Sequence, residues 1–145
     1  MKIAIGADHA GFLAKKEIIR FLMEVGHSVT DMGAWSEDPV DYPDIARAVA
    51  EVVASHHAER GILWCGTGIG MSITANKTPG IRAALCFSPE LAALSRRHNN
   101  ANVLALGARF HTVADMISII QVWLETGFDG GRHLIRVNKI ERFNK

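Results

Sequence analysis

The chain has 145 residues, 48% of them hydrophobic and 21% charged, with a formal net charge of +1. That length can bury a sizeable core in one domain, 1–145. Near-neutrality argues against a broad nucleic-acid or acidic-membrane surface, but leaves room for a local basic cluster holding one small anion. Cys65 and Cys86 make no disulfide framework, no apolar run reaches membrane-span length, and the N-terminus runs straight into a strand pattern. A reducing, cytoplasmic setting is therefore expected.

"KIAIG" reads as a first strand. "GFLAKKEIIRFLMEVG" then puts Ala14, Ile18, Phe21, Leu22 and Val25 on one helical stripe, with Gly26 as terminator. "HSVTDMG" is a second strand. A helix begins near Asp41 and Pro43 and runs through "DIARAVAEVVASHH", with Tyr42 in the loop before it. "RGILWC" is the third strand, "IGMSITANK" a short helix and "IRAALC" the fourth strand. Ser88 and Pro89 open a helix to about His98, and "ANVLALG" is the fifth strand. Thr112 and Asp115 form a capping-box pattern for a helix ending near Gly127. "RHLIRVNKIERFNK" is a last helix after the "FDGG" turn. Apolar strands alternating with helices predict a three-layer α/β/α sandwich around a five-stranded parallel sheet.

In such sheets ligands bind beyond the carboxyl ends of the strands. Three glycines in "CGTGIG" aim backbone N–H groups at one point before a helix, a setting for a phosphate, a carboxylate or a developing oxyanion. The loop is no dinucleotide fingerprint, because Met71 stands where glycine is needed, and no Walker loop, because Asn76 precedes Lys77. Cys65 at the strand end suits a thiolate nucleophile or proton-transfer base. It also suits a buried apolar core thiol, a common place for cysteine, and residue types alone leave both open. Redox chemistry has no C-x-x-C behind it, and Cys86 reads as core.

Asp8 and His9 follow the first strand, where Asp8 can either bind a ligand or cap the next helix. His98, Asn99, Asn100 and Asn102 precede the fifth strand, as a binding cluster or a plain surface loop. Arg132 and Arg136 share one helical face, able to fork onto a phosphate or to stay solvated. Tyr42 is a ligand contact or a packing plug. His56 and His57 sit at a polar helix end, and no metal-ligand spacing is present.

The motifs "IGADHAG", "DYPD", "CGTGIGMSITANKTPGIRAA", "SRRHNNANVLALGAR" and "GGRHLIRV" together resemble the type B ribose-5-phosphate isomerases, in the superfamily that also holds the galactose-6-phosphate isomerase subunits. The resemblance covers essentially the whole chain. It implies a Rossmann-like sheet of order 2-1-3-5-4 and aldose–ketose isomerisation of a sugar phosphate through an enediolate. It also implies no metal, no organic cofactor, and a homodimer with shared active sites, sometimes paired into tetramers. By the same resemblance Cys65 is the base and the backbone from Gly66 through Gly68, Ile69 and Gly70 is the anion hole. Thr67 and His98 open the furanose ring, and Asp8, Tyr42 and Asn99 hold hydroxyls. His9, Arg109, Arg132 and Arg136 hold the phosphate. His98, Asn99 and Arg109 are expected from the partner subunit.

The leading expectation is interconversion of ribose 5-phosphate and ribulose 5-phosphate. A six-carbon substrate, allose 6-phosphate or galactose 6-phosphate, is the near alternative. A non-catalytic sugar-phosphate binding module would not need Cys65, Thr67 and His98 together, and a thiol redox protein would give the arginines no task.

Overall fold

The computed structural model describes residues 1–142. The elements are β1 (Lys2–Ala7), a 3-10 turn (His9–Gly11), α1 (Phe12–Glu24), β2 (Ser28–Asp31), α2 (Tyr42–Ala54) and β3 (Arg60–Cys65). They continue with α3 (Ile69–Ala75), β4 (Ala83–Leu85), α4 (Pro89–Asn99), β5 (Val103–Gly107), α5 (Val113–Glu125) and α6 (Arg132–Arg142). The strands form one parallel sheet in the order β2-β1-β3-β5-β4. The expected architecture and strand order are both met.

Side chains alternate across the sheet with a period of two, and that alternation builds two cores. Ile3, Ile5, Ile62, Trp64, Leu104 and Leu106 face α1 and α5, against Ile18, Leu22, Ile120 and Trp123. Ala4, Leu63, Cys65 and Val103 face α2 and α3, against Val49, Ala50 and Met71. The parity that sends Trp64 into the first core therefore turns Cys65 toward α3.

The helix starts follow their capping chemistry. Ser88 Oγ accepts the Leu91 N–H, and Thr112 and Asp115 make the reciprocal capping box of α5. Asp41 stands before α2, but its side chain accepts no cap hydrogen bond. Gly26 ends α1 with φ 94°, a left-handed conformation that glycine adopts without steric cost.

Three expectations need correction. Tyr42 is the first residue of α2, not a loop residue, with Pro43 accommodated in the first turn, where its missing N–H costs no intrahelical bond. Val25 is half exposed, because it is the cap residue beyond the last turn of α1. Lys15 takes a buried place instead, its ammonium bonded to Asp31 and the Ala34 carbonyl. β4 is only Ala83–Leu85, because Ile81 N–H is drawn into a turn by Thr78 O and Arg82 N–H by Asn102 Oδ1. The final helix reaches Arg142; the rest of its expected span, 143–145, lies outside the described residues.

Candidate active site

β1 and β3 are neighbours, with Ala7 opposite Trp64. Asp8, just after β1, and Cys65, the last residue of β3, therefore emerge side by side, about 4.8 Å apart by strand spacing. Asp8 N–H donates to Trp64 O at 3.2 Å and Trp64 Nε1 donates to Gly11 O at 2.7 Å, which ties the "ADHAG" turn to the end of β3. The two turns meet where the chain order of the sheet switches.

Cys65 is 5% exposed, and the Gly68 N–H donates to its Sγ at 3.1 Å. That geometry depends on Gly68 itself. Its φ is +79°, and a Cβ there would run into the Leu106 backbone carbonyl. Gly70 is required for a different reason: a Cβ would overlap the Tyr42 ring, so the tyrosine lies against the first turn of α3. Thr67 Oγ1 accepts the Ile69 N–H at 3.2 Å, which bends the loop into the helix. Ala108 N–H donates to Cys65 O and Arg109 N–H to Gly66 O, at 2.8 and 3.0 Å. The Arg109 guanidinium consequently lies over Gly66 of its own chain. Arg109, expected from the partner subunit, thus stands at its own chain's loop.

Asp8 Oδ1 accepts the N–H groups of Ala10 and Gly11, at 2.9 and 3.2 Å. It caps the 3-10 turn and leaves Oδ2 free of those bonds. His9 Nδ1 accepts the Val40 N–H at 3.3 Å, which turns the other ring nitrogen outward. Asp8, His9, Tyr42, Cys65, Thr67, Gly66, Gly68, Ile69, Gly70 and Arg109 thus gather at the carboxyl end of the sheet.

The remaining residues lie at the opposite end. α4 returns from the carboxyl end of β4, so His98 and Asn99 stand just before the amino end of β5. The five residues of β5 separate them from the Cys65 level, about 13 Å along the strand. Arg132 and Arg136 are on α6, which packs on the end of α4: the His98 and His133 rings stack 4.3 Å apart and 9° from parallel. Arg97 Nε pairs with Asp129 at 3.2 Å beside them. A single chain therefore carries two separated halves of the expected site.

His133 is a residue that sequence reasoning passed over. Burial, with His98, Arg132 and Arg136 nearby, pulls its pKa below the ordinary 6.5, while Asp129 pulls the other way. Its spacing beside Arg132 gave no hint, because the stack is made between helices. His98, Asp129 and His133 also bring ligating atoms within 4.8 Å of one another, a grouping that no sequence spacing displays. Face-to-face imidazoles leave no point in the plane of both rings where an ion can sit, and Asp129 is engaged by Arg97. Cys86 is buried as expected, and burial pushes its thiol up to about 11 despite a hydrogen bond from Ser95.

The chain matches the Ribose/Galactose Isomerase family over residues 3–140. It is 49% identical over 139 residues to ribose-5-phosphate isomerase B of Escherichia coli K12, covering 96% of this chain and 93% of that one. It superposes on the Clostridium thermocellum ribose-5-phosphate isomerase B structure with a TM-score of 0.97 at 50% identity, covering 99% and 97% of the two chains. The Mycoplasma genitalium enzyme, crystallised with bound ribulose 5-phosphate, superposes with a TM-score of 0.94 at 43% identity over 98% and 95%. With the strand order, the glycine loop and full-length identity in agreement, the chain belongs to the ribose/galactose isomerase family.

Proposed function

We propose that this protein interconverts ribose 5-phosphate and ribulose 5-phosphate, with Cys65 as the proton-transfer base. The observation that carries the residue assignment is the Cys65 sulfur at the carboxyl end of β3, with a backbone N–H on it and a glycine turn beside it. Full-length relatives that are ribose-5-phosphate isomerases supply the substrate.

In the open-chain aldose the Cys65 thiolate takes the proton from C2. The C2–H electron pair becomes the C1–C2 double bond and the carbonyl π pair moves onto O1, which gives an enediolate. The proton then returns to C1, and the O2 proton moves to O1, so a C2 ketone and a C1 alcohol result with no net loss of atoms. Charge builds on oxygen during this exchange, and donors pre-aimed at it accelerate such steps about a hundredfold or more each. In this reading the N–H groups of Gly66, Gly68, Ile69 and Gly70 provide them. Asp8, Tyr42 and Asn99 hold sugar hydroxyls, and Thr67 with His98 opens the ring. His9, Arg109, Arg132 and Arg136 take the phosphate, whose remote binding positions the reacting carbons. Every role is filled by a side chain or the backbone, so the reading needs no metal and no organic cofactor.

The separation of the two half-sites supports a homodimer, with or without further pairing into a tetramer. His98, Asn99, Arg132 and Arg136 reach a Cys65 only if a second copy brings them. Ile69 and Ile73 on α3 and Leu134 and Ile135 on α6 are exposed apolar side chains beside the two halves, suited to such a contact. The cytoplasmic setting stays part of this reading, on the two free cysteines. Among the described residues no helix is long and apolar enough to cross a membrane.

The test is turnover of ribose 5-phosphate in EDTA by the purified protein and by Cys65→Ala, with allose 6-phosphate and galactose 6-phosphate in parallel. Metal-independent pentose turnover lost in the variant is the expected result. Hexose turnover alone would change the substrate and keep the chemistry. Full turnover by Cys65→Ala would remove the base assignment.

A further inference from the structure

Arg82 holds the end of α4 with an unusual set of bonds. Its Nε donates to Asn99 O at 3.0 Å and to Asn100 O at 3.2 Å, and its Nη2 donates to Asn100 O at 2.9 Å. Its Nη1 pairs with Glu141 of α6. Its own backbone is fixed as well, because Arg82 N–H donates to Asn102 Oδ1 at 2.8 Å. Arg96 grips the same turn from beneath, donating to Asn100 Oδ1 at 2.9 Å and Thr126 O at 3.2 Å. The last carbonyls of a helix have no partner within it, and they carry the negative end of the helix dipole. A forked guanidinium satisfies several of them at once, which one ammonium cannot do.

We propose that Arg82 is a positioning residue for the isomerase: it fastens the His98–Asn99 end of α4 to the Arg132–Arg136 helix as one pre-set half-site. The proposal rests on the reading above, in which that half-site completes the partner's Cys65 centre. Arg82 touches no substrate. It acts through Asn99, whose carbonyl it holds, and through Glu141, which anchors α6. Released from this clamp, His98 keeps its stack on His133 but loses the fixed last turn beneath it. A displacement on the order of 1 Å can cost about a hundredfold in rate. Phosphate binding by Arg132 and Arg136, further along α6, is disturbed less.

The experiment uses dimers purified with two different tags. Arg82→Met homodimers are expected to lose about 10- to 100-fold in kcat with a smaller rise in KM, and Arg82→Lys to recover part of the loss. Mixed dimers then separate positioning from loss of folding. A Cys65→Ala subunit paired with an Arg82→Met subunit retains one site with an intact Cys65 and an intact arm, so about half of wild-type turnover is expected. Placing both changes on one subunit, with a wild-type partner, damages both sites and should give the low homodimer rate. Equal turnover in the two mixed dimers would overturn the proposal, as would full kcat in Arg82→Met. His98→Ala replaces Arg82→Met in a parallel pair of dimers. If that pair shows no asymmetry, the shared site itself fails and the proposal with it. If it shows asymmetry and the Arg82 pair does not, only the Arg82 assignment is refuted.

Discussion

Replacing Gly68 by alanine should damage both stability and turnover, and the structure allows the two costs to be separated. At φ +79° an L-residue sits in the left-handed region, at about 1–2 kcal/mol. The new methyl would also lie within 2.8 Å of the Leu106 carbonyl group, which belongs to β5, an interior strand paired on both sides, and cannot yield. Overpacking of that kind adds about 1–3 kcal/mol. A combined cost near 3 kcal/mol lowers Tm by about 10 °C for a chain of this size. Gly80→Ala is the control: its φ is +83°, but nothing lies within 4 Å of the added methyl, so it carries the backbone strain alone. Relief of the overlap would push the loop outward and draw the Gly68 N–H off the Cys65 sulfur. Turnover should therefore fall about a hundredfold in Gly68→Ala, on the scale of losing one such donor, and stay near wild type in Gly80→Ala. Urea denaturation and steady-state turnover of both variants make the comparison. Equal stability losses in the two, with full turnover in Gly68→Ala, would refute the argument.

Gly70→Ala meets a movable neighbour, the half-exposed Tyr42 ring, so it should cost about 1 kcal/mol or less in stability while raising KM, and adding Tyr42→Ala should restore stability but not KM. His133 titrates below 6.5 when folded, so the unfolded chain binds more protons as pH falls past 6.5. Stability is complete above that pH and declines below it; Tm measured from pH 8 to pH 5 should drop, and His133→Asn should flatten part of that slope. A flat profile in the parent would contradict the buried stack as the cause. With a thiol pKa of about 11, Cys86 holds about one part in a thousand of thiolate at pH 8. Iodoacetamide should leave Cys86 unmodified in folded Cys65→Ala and modify it once the protein is unfolded in urea, as read by mass spectrometry.

Much of this fold was legible because local and global signals agree. The alternation of Ile3, Ile5, Ile62, Trp64, Leu104 and Leu106 reads directly as strands, and Ser88 and Thr112 announce their helices with side chains that do cap. The misreadings come where tertiary bonds override local preference. Lys15 interrupts an apolar stripe because Asp31 and the Ala34 carbonyl satisfy its charge. β4 is shortened because the Asn102 side chain takes the Arg82 N–H that a ladder would have used. In the site, "CGTGIG" was visible as a loop, but its reliance on Leu106 and Tyr42 was not, since both contacts come from distant elements. The pairing of Cys65 with Gly107 carries Arg109 to Gly66 of its own chain, a contact that no sequence spacing displays. Neither the His98–His133 stack nor the Arg82 clamp has a spacing that marks it.

The division of the site follows from the topology. In a parallel sheet every strand delivers its following residue to one end, so Asp8, Cys65 and Arg109 converge without special design. Every helix returns to the other end, so a residue at a helix C-terminus, such as His98 or Asn99, is carried away from them. One chain of this fold places Cys65 and the glycine loop together, but it does not also bring its own α4 terminus to that loop, which lies the length of β5 away. In the proposed homodimer a second copy supplies the other half, which puts a demand on the α4 terminus that an ordinary helix end does not face. That end must hold its geometry while meeting a foreign surface. Two guanidiniums meet that demand: Arg82 on the Asn99 and Asn100 carbonyls, tied to Glu141, and Arg96, packed on Trp123, on the Asn100 side chain and the Ala101 carbonyl that follow.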